Sequence, residues 1–122
     1  MPLDKIQVES RDQDLNLDFI QIDIAPPTAS SRAVDVVADF PYDIYGITVV
    51  TDAGTLDVQI TIAGTPVSFD TDGTTVGVSS TIKTRDAASA NSVAVGNSVL
   101  AVLSNIASSP AQLYLKLYIV RT

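Results

Sequence analysis

Asp70, Asp72 and Gly73, in "DTDGTT", stand at the spacing with which an EF-hand calcium loop opens. Such a loop closes on a bidentate Glu at its twelfth position. That position here is Thr81, and no helical pattern flanks the stretch. An ordinary Asp-Gly turn is the reading this leaves. Paired carboxylates could instead run glycoside hydrolysis. Fourteen Asp and Glu in 122 residues make accidental pairs unavoidable, however, and sugar clefts lean on aromatic platforms. The chain has no Trp, three Phe and four Tyr. Tyr42, Tyr45, Tyr114 and Tyr118 are the candidates for stacking on a sugar. Of these, Tyr114 and Tyr118 share a strand face, with Lys116 between them. Tyrosine is also an interface residue, amphipathic and low in entropy cost, and the interface or core reading is the stronger one.

The missing residue types bound the chemistry further. The sequence has no His, the usual general base and commonest metal ligand, and no Cys. A Ser-His-Asp or Cys-His relay and the ordinary zinc sites are therefore out of reach, and neither catalysis nor a cofactor is expected. The absence of Cys suits a protein made in a reducing cytoplasm. The opening "MPLDKIQVESRDQ" has no apolar core, so no signal peptide is expected. A net charge of −7 opposes phosphate backbones and anionic lipid, which argues against nucleic acid and membrane as partners. The charge is uneven: residues 1–43 hold nine acids and three bases, residues 44–122 five acids and four bases.

Period-2 alternation dominates the chain and no helix is expected. In "TLDVQITIA", Leu56, Val58, Ile60 and Ile62 alternate with Asp57, Gln59 and Thr61, giving one buried and one wet face. "DIYGITVVTDAGT" reads as a strand before it, ending in a turn at Asp52-Ala53-Gly54. "TPVSF" follows through Ala63-Gly64, making a meander of three. Beyond the 70–75 turn come "VGVSSTIKT", a small-residue loop "RDAASAN", then "SVAV" and "SVLAVLS" flanking Gly96-Asn97. "LYLKLYIV" closes the chain after Pro110. An antiparallel β-sandwich of jelly-roll type with about seven or eight strands fits this spacing.

The first 32 residues read differently. "LNLDFIQIDI" is followed at once by "APPTASSR", whose Pro26-Pro27 favours polyproline-II geometry. The division expected is an extended acidic arm over 1–32 and a sandwich over 33–122. The arm would dock onto a partner's sheet edge through Leu17, Phe19, Ile20, Ile22 and Ile24. The alternative is that residues 15–24 are simply the first strand of the sandwich.

Two strands are apolar on both faces. Val99, Ala101 and Leu103 alternate with Leu100 and Val102, and Leu117 and Ile119 alternate with Tyr118 and Val120. A lone sandwich would expose a patch here, and such patches mark interfaces. Covering ~400 Å² of apolar surface is worth ~10 kcal/mol before the costs of association. These nine residues are therefore the expected interface of a homo-oligomer, most simply a trimer.

The same stretches carry a resemblance. "ITVVTDAGTLDVQITIAGTPV", "VSST", "NSVAVGNSVLAVLSN" and "SSPAQLYLKLYIVRT" resemble a pattern in small β-rich virion proteins of tailed bacteriophages, namely capsid cement (decoration) proteins and head- or tail-fibre domains. The likeness covers about residues 44–122. The turn in such sequences is often Gly-Asp, and Gly96-Asn97 departs from it while keeping the turn chemistry. The resemblance implies a trimeric, non-enzymatic protein on the capsid exterior, contacting the major capsid protein or another virion protein. A fibre domain binding a host glycan or receptor is the alternative it leaves open.

Overall fold

The computed structural model of the protein describes residues 17–122. Eleven strands follow in order: β1 (Leu17–Ile24), β2 (Ser31–Asp35), β3 (Tyr42–Thr51), β4 (Thr55–Ile62), β5 (Thr65–Pro66), β6 (Ser68–Phe69), β7 (Val76–Val78), β8 (Lys83–Ser89), β9 (Ser92–Val93), β10 (Val99–Ala107) and β11 (Leu113–Arg121). One sheet runs β1-β11-β3-β8-β6, with β9 also on β3; the other runs β2-β10-β4-β5, with β7 also on β4. Every pairing is antiparallel. The protein is an all-β sandwich. Its long strands follow a jelly-roll course, alternating between sheets from β1 to β4 and returning through β8, β10 and β11.

Alternation builds the core between the sheets. Leu113, Leu115, Leu117 and Ile119 of β11 and Ile44, Ile47 and Val49 of β3 meet Leu56, Val58 and Ile60 of β4 and Val99, Ala101 and Leu103 of β10, all buried. Tyr42 and Phe69 are the largest side chains buried in it.

Eleven strands replace the expected seven or eight because the middle of the chain is cut into short pieces. "TPVSF" is split: β5 pairs with β4 in one sheet, β6 with β8 in the other. "VGVSSTIKT" divides likewise into β7 and β8. The expected loop "RDAASAN" is largely strand β8. Its small and charged residues reflect a position near the sheet margin, where one face is solvent. The meander holds only at β4–β5; β3 and β4 lie in different sheets, joined by a corner at Asp52–Gly54. There the Asp52 carboxylate accepts the amides of Ala111 and Gln112, at 3.0 and 3.1 Å. The Gly96-Asn97 turn exists, with the Asn97 amide donating to Ala94 O at 3.0 Å. It carries the chain between sheets instead of closing a hairpin, since β9 pairs with β3 and β10 with β4 and β2.

The start of the chain also differs from the expected division. β1 is in register with β11 over all eight residues, Leu17↔Val120 to Ile24↔Leu113. The boundary drawn at 32/33 falls inside β2. Leu17–Ile24 is the edge strand of the sandwich, because its even-numbered isoleucines complete the core under β11. Residues 1–16 of the expected arm lie outside the described residues.

Candidate functional site

The site builds up on the outer face of the β1-β11-β3-β8 sheet. Along β1 the odd positions Leu17, Phe19, Gln21 and Asp23 face outward, opposite Val120, Tyr118, Lys116 and Tyr114 of β11. Those residues in turn face β3, where Tyr118 pairs with Gly46, Lys116 with Thr48 and Tyr114 with Val50. The register shifts between Tyr118 and Ile119, leaving Tyr45 as the extra residue of a β-bulge. The bulge turns Tyr45 outward onto Tyr118, ring centroids 5.7 Å apart at 40°. Gly46 is what lets Tyr118 lie so close: a Cβ there would meet the Tyr118 ring at 3.3 Å and Arg85 O at 3.2 Å.

Lys116 sits at the centre of this face. Its Nζ lies 4.1 Å from the Phe19 ring centroid and 5.4 Å from that of Tyr118, a cation–π arrangement that holds the ammonium over apolar surface. The Tyr118 hydroxyl is 3.0 Å from Thr48 Oγ1, which is 2.8 Å from Thr84 Oγ1. This chain of hydroxyls, with the Tyr114 hydroxyl donating to Gln112 Oε1 at 2.7 Å, fixes two of the rings. Phe19 is 51% and Tyr45 39% exposed. Between Gln21, Thr48, Val50, Tyr114 and Lys116 the face dips into a hollow of about 150 Å³. By register Asp23 lies beside the hollow, opposite Tyr114, and Asp43 and Asp86 lie toward the other end of the same face, opposite Val120 and Gly46. The arrangement can stack on planar or apolar groups, and its acidic rim favours a cationic partner.

The sequence-derived residues distribute unevenly. Of the nine expected at an oligomer interface, Val99, Ala101, Leu103, Leu117 and Ile119 are core residues, at most 2% exposed. They are the inward half of each alternation and have no surface to offer a partner. Leu100 and Val102 lie on the outside of the second sheet, Tyr118 and Val120 on the face just described, all half-buried. Of the expected arm anchors, Ile24 is buried, and Ile20 and Ile22 pack against the core. Leu17 and Phe19 remain outside, and Phe19 joins the aromatic face. Sequence reading grouped Tyr114, Tyr118 and Lys116 correctly but separated Phe19 and Tyr45 from them. The one signal for Tyr45 was the glycine beside it inside a strand, which often marks a bulge.

The calcium-like turn has another occupation. Asp72 Oδ2 is 3.1 Å from Lys83 Nζ, and Asp72 Oδ1 is 3.5 Å from Arg85 Nε. Both cations come from the inward-facing side of β8, so Asp72 balances charge that the sandwich edge would otherwise half-bury. The Phe69 amide bonds to Gly73 O and the Gly73 amide to Phe69 O, at 2.8 and 2.9 Å. Thr81 lies apart in the β7–β8 connection, its amide held by Ser79 Oγ at 3.2 Å. Among the described residues no group of three or more Asp or Glu is placed to hold a metal ion.

No family model and no curated protein matches this chain. Among solved structures, a chain from the work "Bacillus endospore appendages form a novel family of disulfide-linked pili" is similar at 15% identity over 86% of each chain, with a TM-score of 0.41.

Proposed function

We propose that this chain is a non-enzymatic structural protein of a tailed-phage virion, a capsid decoration protein that docks on the major capsid protein lattice and stabilises the head. The observation that carries the docking reading is the aromatic face: Phe19 and Tyr45 exposed beside Tyr118, around Lys116, on a sheet whose other side is locked into the core. A rigid platform with large amphipathic rings loses little side-chain entropy on binding. The virion assignment rests on the resemblance of residues 44–122, and the chain's lack of His and Cys supports a role without catalysis.

A second reading, a fibre domain that binds a host glycan, is favoured by the Tyr45–Tyr118 pair lying beside the Thr48 hydroxyl. Electron microscopy of virions labelled for this protein separates the two. Label over the whole head lattice supports decoration; label confined to the tail or to fibres refutes it. On heads stripped of the protein, the wild-type chain rebinds and a Phe19→Ser, Tyr45→Ser chain does not. Rebinding weakens with salt because the rim is acidic. Equal rebinding by both chains would remove the aromatic face from the proposal.

A further inference from the structure

We infer that two copies of this chain pair edge to edge through β1, antiparallel about Gln21, to form an isologous dimer whose two outer sheet faces become continuous. The contact uses the β1 edge that no described strand covers, and it does not depend on which partner binds the sheet's outer face.

Among the described residues β1 has a neighbour on one side only, where β11 pairs with it. Its pairing is regular over eight residues, with no bulge to twist the edge away. In an antiparallel strand, alternate residues turn both backbone groups to the same side. The Phe19 amide bonds to the Asp18 carboxylate at 2.8 Å, so Phe19 is turned away from β11. By the same parity Gln21 and Asp23 also present N–H and C=O to the open edge. Edges of this kind are templates for another strand unless they are short, bulged, blocked by proline or guarded by charge. The strand "LDFIQIDI" is eight residues long, without bulge or proline, and its two charges are Asp18, on the Phe19 amide, and Asp23.

The occupant is set by charge and symmetry. Pairing Gln21 with Gln21 of a second copy places Asp23 of that copy opposite Phe19, and Phe19 of that copy opposite Asp23. Lys116 Nζ already lies over the Phe19 ring, 4.1 Å from its centroid. Among the described residues neither Lys116 nor Asp23 has an opposite charge within 4.0 Å. Edge pairing therefore brings each uncompensated Asp23 beside the other copy's uncompensated Lys116, twice over by the two-fold axis. The contact is self-complementary, as an isologous interface requires. The Asp18 side chain, which covers the Phe19 amide in the single chain, gives way to a carbonyl of the second copy.

Sedimentation equilibrium of the full chain tests this. The wild-type chain associates to a mass of two copies in the micromolar range. Gln21→Pro removes an edge N–H that the chain's own sheet does not use, and leaves a monomer. Asp23→Lys alone and Lys116→Glu alone each weaken pairing by about tenfold or more, since each sets like charges together twice. Mixing those two single variants restores pairing between them, because every Lys in the mixed dimer then faces an acid. Thermal melts of the charge variants confirm that they fold, so failure of Gln21→Pro to fold leaves the test intact. A wild-type monomer at all concentrations, a mass of three copies, or single variants that do not complement each other would overturn the inference. Loss of capsid binding with dimerisation intact would count against the docking reading alone.

Discussion

Tyr42 ties the stability of this sandwich to alkaline pH in a way that one methodical titration can check. Its ring is buried in the core, 1% exposed, and its hydroxyl donates to Asp35 Oδ2 at 2.9 Å. Burial first, and then the hydrogen bond to Asp35 and the charge of that carboxylate, push the phenol well above its ordinary value. The unfolded phenol titrates at about 10. Between that pH and the higher folded value the unfolded chain binds fewer protons than the folded one, so stability falls as pH rises. The contribution is fully present below pH ~10 and about 1.4 kcal/mol of it is gone one pH unit higher. At about 4 °C per kcal/mol for a chain of this size, that is a fall of about 6 °C in Tm. Other groups also titrate in this range, so the informative quantity is the difference from Tyr42→Phe. At pH 8 the variant is the less stable by about 1.5–2 kcal/mol, the worth of a hydrogen bond to a charged acceptor. At pH 11 the gap closes to a few tenths of a kcal/mol, because only the wild-type chain has a phenol to ionise. Denaturant melts of both chains at pH 8, 10 and 11 measure it. Two stability curves that run parallel across that range would refute the buried Tyr42–Asp35 bond.

Leu117→Ala, at a fully buried position, costs about 3 kcal/mol in a denaturant melt, whereas Val102→Ala on the outer face costs under ~1 kcal/mol. Asp72→Asn lowers stability by about 1–2 kcal/mol by leaving Lys83 and Arg85 half-buried without their counter-ion, while calcium or chelator leaves Tm unmoved. Gly54→Ala costs at least ~2 kcal/mol, since its φ is +70° and a Cβ would run into Ala107 O and Ser108 O. Deleting residues 1–24 strips β1 from β11 and uncovers its core-facing side; the truncated chain melts far below the full one or does not fold.

Strand character was legible because it is written locally. Alternation such as Leu56, Val58, Ile60 and Ile62 states which residues are inside without reference to any other strand, and those four are buried. The closing strand from Leu113 to Val120 is equally self-evident, and its tyrosines and lysine lie together on the outer face as the period requires. Turn chemistry at Ala63-Gly64 and Gly96-Asn97 is local too, and both turns are present. What alternation cannot state is which sheet a strand joins. A turn between two strands looks the same whether it closes a hairpin or carries the chain across the sandwich, so the expected meander fails at β3–β4, which lie in different sheets. It also cannot state what covers an outer face. Leu100 and Val102 read as an interface because half-burial comes from neighbouring strands, which only the assembled sheet supplies. Phe19 and Tyr45 lie 26 residues apart and reach the same patch as Tyr118 through a sheet pairing at one and a register bulge at the other. The sequence alone determined the long strands β3, β4, β10 and β11 and their inner faces; the short strands, the pairing order, the bulge and the aromatic face were decided by tertiary structure, because they depend on contacts between residues distant in the chain.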